Sequence, residues 1–576
     1  MKKVINILKM TQIVIVFTFA SVFTVLLVSC PPPEAIINNE KPVTESAKIA
    51  KLTIAGRDVA WGEPAGELKN ARARALFLEF EEASHAAIHI SLDTSRASAA
   101  YSILMSRESE PVWRTSDPVN FKTGDILAIR VVTDNVLFRY YTLAVTVGKP
   151  SPIFLTEEIF RQQYLTFIDE VPQMKIYTAG GVSINSKDNY INAAINIEGS
   201  QKYNRTNWPV EIRGRGNSTW SMPKKPYRIK AKSKTSIFGL PELRNWALIA
   251  NYADKSLMRN YTVHLLGRSL RMDFTANVIF VEVYINDRYD GLYCLQDQTE
   301  ANKHRVDVEG YLTDGKGDLT DTGFLVELDW PDRNPGSKEG LDYVRISGLN
   351  YFITYPKYMD DEGFHELGFY QQAVAYIKDY LTQVHEAVMS QNKTAFEDLC
   401  DTDSFIDYFL VQELSKNVDG TSLSVFYNKK PGGKMKMGPL WDFDLALGNA
   451  DYIPYTSDGW YNARPSPGSQ TPWFQYLLKQ SDFYEDFRAR YIDLYDANIQ
   501  YTINCIDDVR EAIRPAALAN FDRWRILNSS YLWPNPLPVL AIHTWDGQVD
   551  YIKDYWINRN KWMYDQLYYR QAIPGV

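Results

Sequence analysis

Strand-like stretches dominate this chain to about Tyr355, and helical periodicity takes over beyond it, as over residues 366–389 and 550–569. A strand-rich half followed by a helix-rich half, within one span over residues 151–576, restricts that span to an α+β domain with a cleft between two lobes. The chain has 576 residues and is 45 % hydrophobic, enough for two or three packed domains. No internal repeat breaks the pattern.

Ahead of that span, residues 51–148 carry short alternating runs, including Ile88-His89-Ile90-Ser91-Leu92 and Leu127-Ala128-Ile129-Arg130-Val131, closed by Gly148-Lys149-Pro150. This pattern predicts a small β-sandwich of immunoglobulin-like character. Residues 31–50, opening on Pro31-Pro32-Pro33, read as a polar linker. Lys2, Lys3 and Lys9 precede an uncharged apolar run that ends in Leu27-Val28-Ser29-Cys30. The run is an export signal, and its end resembles a bacterial lipoprotein cleavage box, which makes Cys30 the acylated first residue. An uncleaved anchor is the alternative by length. Either arrangement holds the body of the protein outside the cytoplasm, on a membrane surface.

Several chemistries are disfavoured at once. A net charge of −8 argues against a nucleic-acid partner. Cys294, Cys400 and Cys505 are widely spaced, so they support neither a disulfide framework nor a thiolate zinc site. His85 and His89 fall where the pattern is strand-like, which keeps their rings too far apart to share an ion.

Three segments carry chemistry. The first runs from Arg213-Gly214-Arg215-Gly216-Asn217-Ser218-Thr219-Trp220 into Lys224-Lys225-Pro226-Tyr227-Arg228-Ile229-Lys230, with no acidic residue between Glu211 and Glu242. Glycines allow close backbone approach to a phosphate, and strand alternation sets Arg228 and Lys230 on one face. A solvated basic hairpin is the plainer alternative. In the second segment Asp254 caps a helix carrying Lys255 and Arg259 at i, i+4, a pair able to meet phosphate oxygens or simply to face solvent. The third places a helix before Asp419, a strand from Ser424, the turn Pro431-Gly432-Gly433, and a return strand leading to Asp442-Phe443-Asp444. Such a hairpin brings Asp419 and Asp442 to its open end. Two converging carboxylates suit phosphoryl transfer, Asp419 orienting the attacking hydroxyl and Asp442 holding Mg²⁺, with Asp444 as a further metal contact and unrelated loop aspartates as the plainer alternative. The order resembles that of protein kinases, and Ser424 stands at the place of their metal-binding Asn as a weaker ligand.

These motifs, with Trp246-Ala-Leu-Ile-Ala-Asn-Tyr-Ala-Asp-Lys-Ser-Leu-Met-Arg-Asn260, Gly291-Leu-Tyr293, Asn520-Phe-Asp-Arg-Trp524 and Trp556-Ile-Asn-Arg-Asn-Lys-Trp562, resemble the CotH spore-coat kinase family. The resemblance implies an atypical protein-kinase-like fold that uses ATP and Mg²⁺ or Mn²⁺ to phosphorylate Ser or Thr of secreted or surface proteins. It matches Asp419 to the catalytic Asp, Asp442 to the metal-binding Asp, and Lys230 or Arg228 to the phosphate-facing cation. Asp297 then stands for a partner Glu of the activating ion pair. Two other classes stay open: a metal-dependent glycosyltransferase using Asp442 and Asp444, and a non-catalytic surface scaffold or polysaccharide-binding module. Glu327 and Asp329 read equally well as a solvated strand edge, and Asp314, Asp318 and Asp321 as a flexible loop rather than a Ca²⁺ site.

Overall fold

The computed structural model describes strand segments between Lys48 and Val147 and, beyond them, residues 156–165, 171–200, 202–359, 363–463 and 472–573. The export signal, Cys30 and the linker to residue 47 lie outside the described residues. Two compact units divide at Thr156.

In the N-terminal unit, strands Arg57–Val59, Lys48–Ile54 and Ile88–Asp93 form one sheet, and Leu76–Leu78, Leu137–Val147, Ile126–Thr133 and Ala100–Met105 form another. The first strand begins at Lys48, inside the expected linker. Leu127, Ile129 and Val131 alternate inward and are fully buried, as a strand with one apolar face requires. His85 pairs with Asn120 and His89 with Thr53, in separate sheets.

The second unit is α+β. Its strand half is a closed barrel of β1 (Gln173–Thr178), β2 (Ile191–Glu198), β3 (Arg205–Gly214), β4 (Tyr227–Thr235), β5 (Leu243–Ile249), β6 (Val278–Ile285) and β7 (Arg288–Asp297). The order is β1-β2-β3-β4-β5-β7-β6, and a parallel β6–β1 pairing closes it. Alternation along each strand fills the interior: Met174 and Ile176, Ile195 and Ile197, Val210 and Ile212, Tyr227 and Ile229, Trp246 and Leu248 all join one core. The outward residues of the same strands are therefore free to build a site.

A five-stranded antiparallel sheet follows, containing β8 (Phe324–Leu328), β9 (Tyr343–Ile346), β10 (Leu349–Tyr355), β11 (Val425–Lys429) and β12 (Lys436–Met437) in the order β9-β10-β8-β11-β12. The long helices are α1 (Arg259–Ser269), α2 (Leu367–Met389), α3 (Thr402–Ser415), α4 (Ser481–Leu494), α5 (Gln500–Arg523) and α6 (Trp545–Tyr568). Trp246, Trp473, Trp545 and Trp556 are fully buried, so the aromatic enrichment serves the core first.

Candidate active site

Strand parity makes the basic wall. On β4, Tyr227, Ile229 and Ala231 enter the barrel core, so Arg228 and Lys230 point the other way and line a cavity of about 1410 Å³. Arg213 on β3 sits directly opposite Arg228. Like charges in that position repel, yet the Nε atoms of both are buried without an acceptor among the described residues. Tyr190 carries Arg213 at 4.9 Å and Lys230 at 5.8 Å from its ring centroid. An anion lying against this wall would satisfy both guanidinium groups.

The turn after β3 differs in detail from its sequence reading. A Cβ on Gly214 would come within 2.3 Å of the Trp220 ring, so this glycine makes room for Trp220 rather than for a phosphate. Gly216 has φ +83°, which favours glycine. Asn217 and Ser218 are exposed on the cavity lining. Arg215 stacks over Trp441 at 5.5 Å; burial lowers its pKa, while Asp442 and Asp444 oppose that shift. Lys225 donates to the Trp220 carbonyl at 2.7 Å, and the residues lining the cavity beside it include Lys224 rather than Lys225.

Across the cavity stand carboxylates. The β11–β12 hairpin forms as expected, and Asp419, Asp442 and Asp444 line the same cavity as the arginines. Burial, then the charge of Asp442, pushes the Asp419 carboxyl up to about 6. Asp444 is buried and held well above the usual carboxylate range by desolvation and by Asp442. Asp442 is exposed with φ 58°, and Ser424 has φ 52°. Left-handed backbone costs a non-glycine residue on the order of 1–2 kcal/mol, and both instances border the cavity.

Glu327 and Asp329 are not a solvated edge. β8 lies between β10 and β11 in the sheet, and Glu327 faces Phe352 and Phe426 across it. Burial and the neighbouring Asp329 push Glu327 up to about 8, partly offset by a hydrogen bond with Ser424. Ser424 is thereby engaged by a carboxyl group that sequence reasoning left outside the site. Arg333, which also lines the cavity, carried no signal of its own in the sequence.

In the second basic motif, Arg259 proves to be scaffolding. Asp254 and Arg259 form an ion pair at 2.6 Å with both side chains 0 % exposed. Arg259 Nε also donates to the Ala446 carbonyl at 3.0 Å, which ties α1 to the loop after Asp444. Lys255 is buried as well, which corrects the solvated face, but its Nζ has no hydrogen-bond partner among the described residues. Asn260 holds the same loop by accepting the Phe443 N–H. The C-terminal motifs act similarly: Asn520 accepts Lys224 Nζ at 2.9 Å, and Arg559 pairs with Glu413 at 2.6 Å, both fully buried.

Asp297 lies away from the arginine wall. It pairs in register with Trp246, whose ring is in the barrel core, so strand parity turns it from the face bearing Arg228. Its partner is Arg305, at 2.6 Å. Asp321 pairs with Lys429 at 2.8 Å instead of joining Asp314 and Asp318 around an ion.

Among the described residues, no three His, Cys, Asp or Glu side chains form a metal site by themselves. The donor chemistry still fits Mg²⁺, because such sites commonly use one or two carboxylates and complete the shell with phosphate oxygens and water. Asp442 and Asp444 are hard oxygen donors whose charges oppose one another, and a divalent cation relieves that repulsion. The cavity exceeds the roughly 300–1,000 Å³ of a typical small-ligand site, leaving room for a nucleotide and an acceptor together.

No curated protein matches the chain. Residues 212–563, more than half of it, match the family model described as CotH kinase protein. That span takes in the arginine wall, the carboxylates facing it and the buried motifs that pin them, and the chain belongs to the CotH kinase family.

Proposed function

We propose that the cavity transfers the γ-phosphoryl group of ATP to a Ser or Thr hydroxyl on a secreted or surface protein. The supporting observation is the opposed, unsatisfied Arg213–Arg228 pair facing Asp419, Asp442 and Asp444 across one cavity. The barrel and the helix-rich half then act as the two lobes of a kinase-like cleft.

Arg213, Arg228 and Lys230 hold the nucleotide phosphates, and Arg215 stands between them and the metal-binding loop. Asp442 and Asp444 would hold Mg²⁺ or Mn²⁺, which supplies charge neutralisation at the phosphates. Asp419 orients the acceptor hydroxyl and takes its proton. Its raised pKa suits that role, since a carboxylate near 6 is ionised at neutral pH and more basic than an ordinary one. Outside the cytoplasm, the Cys30 lipid anchor keeps this site at a membrane surface; that assignment rests on the N-terminal sequence.

The test is transfer from labelled ATP with Mg²⁺, comparing wild type with Asp419→Asn and Asp442→Asn. Loss in both variants supports the reading. A preference for sugar nucleotides over ATP would move the site to a glycosyltransferase.

A further inference from the structure

We propose that Arg333 is a further catalytic residue, its guanidinium binding the γ-phosphoryl group as that group passes to the acceptor hydroxyl. The inference rests on the kinase reading above.

Arg333 ends the short turn Pro331–Arg333 that follows β8, on the carboxylate side of the cavity. The other arginines lining the cavity, Arg213, Arg215, Arg228 and Arg244, all come from the barrel or its turn. Arg333 is thus the lining arginine placed to approach a transferred group from the acceptor side, where Lys357 is the other lining cation.

Its donors are engaged only by one long ion pair. Arg333 lies over the Trp330 ring at 5.5 Å, a platform that fixes the guanidinium plane without using its N–H groups. The Asp329 carboxylate is 3.8 Å from Nη1, beyond hydrogen-bond distance, and its Oδ1 already accepts the Trp330 N–H at 2.7 Å. A part-exposed i, i+4 pair at that separation contributes little to stability, so a purely structural role does not account for the placement. The charge also acts on the right group: Arg333 lowers the carboxyls of Asp419, Glu327 and Asp329 against the burial that raises them.

In the transfer, a bond forms between the acceptor oxygen and the γ-phosphorus, and the bond from that phosphorus to the β–γ bridging oxygen breaks. The acceptor proton goes to Asp419, and the bridging oxygen leaves with ADP. Charge spreads over the three equatorial oxygens between these events. The barrel cations already hold the nucleotide, so Arg333 meets the group where they cannot follow it.

The same guanidinium could bind a carboxylate of the acceptor, and kinetics separate the two. The full chain and its Arg333→Ala and Arg333→Lys variants are assayed with labelled ATP and Mg²⁺ on two Ser-containing peptides, one neutral and one with acidic flanks. Phosphoryl binding predicts a kcat loss of roughly 100-fold or more in Arg333→Ala on both peptides. It also predicts a KM for ATP within about threefold of wild type, and partial recovery in Arg333→Lys. A loss confined to KM for the acidic peptide overturns the proposal and assigns Arg333 to the acceptor. An active wild type matched by an equally active Arg333→Ala overturns this proposal alone, whereas an inactive wild type overturns the kinase reading with it.

Discussion

Asn260 accepts the backbone N–H of Phe443 at 2.7 Å, between the two aspartates assigned to the metal. A residue buried at the start of α1 thereby fixes the loop that presents Asp442 and Asp444, and Asn251 supports it through a hydrogen bond from Asn260 Nδ2 at 3.3 Å. Asn260→Ala leaves a buried N–H unpaired and should cost about 1–3 kcal/mol of stability. Metal-dependent ATP binding should weaken as well. Denaturant unfolding and calorimetry with and without Mg²⁺ check both effects, and unchanged binding would separate the loop from the metal.

Arg213 and Arg228 sit directly opposite one another, like charges that repel, and on the proposed function they share an anion when ATP binds. Arg228→Ala should therefore leave the ATP-free protein at least as stable as wild type. Its affinity for ATP should fall roughly tenfold or more, equivalent to about 1.5–3 kcal/mol for a charge-assisted hydrogen bond. Thermal unfolding with and without ATP reads the two opposite signs in one experiment.

Glu327 gives the protein a defined pH response. Its folded-state pKa is pushed up to about 8 from an unfolded value near 4.3, so the folded form keeps a proton that the unfolded chain has released. Stability from this group is present at low pH and is lost as pH rises through about 8. Glu327→Gln should stabilise the protein at pH 9 by on the order of 2 kcal/mol, and by less at pH 5. Unfolding free energies at those two values check the sign.

Asp297 and Arg305 belong to the fold. Asp297→Ala leaves a buried guanidinium unpaired and should cost about 3–5 kcal/mol of stability. ATP affinity in whatever folded fraction remains should be unchanged, because the side chain faces away from Arg228. A selective loss of ATP binding, without loss of stability, would restore the ion-pair role implied by family resemblance.

The sequence carried much of this architecture. The change from strand to helix after Tyr355, the outward face of Arg228 and Lys230, and the hairpin between Asp419 and Asp442 all depend on local periodicity and turn chemistry, which are readable in one dimension. Burial of charge is different, because it is set by what packs on top. Asp254 and Arg259 have the spacing of a solvated helix pair, and only the packing of the loop after Asp444 makes them an internal brace. Glu327 likewise alternates as an edge residue would, until β10 and β11 enclose its strand. Barrel closure determined the fate of Asp297, since its inward parity depends on pairing with β5 across a long sequence separation.

The central claim is tested most directly by phosphate transfer from labelled ATP, measured with the full chain in Mg²⁺ and repeated with Asp442→Asn and Asp419→Asn. The account predicts incorporation into the protein itself or a Ser-bearing acceptor, with loss in both variants and retained ATP binding in Asp419→Asn. Transfer that persists in both variants, or a wild type that neither binds ATP in the presence of Mg²⁺ nor transfers phosphate, would contradict it.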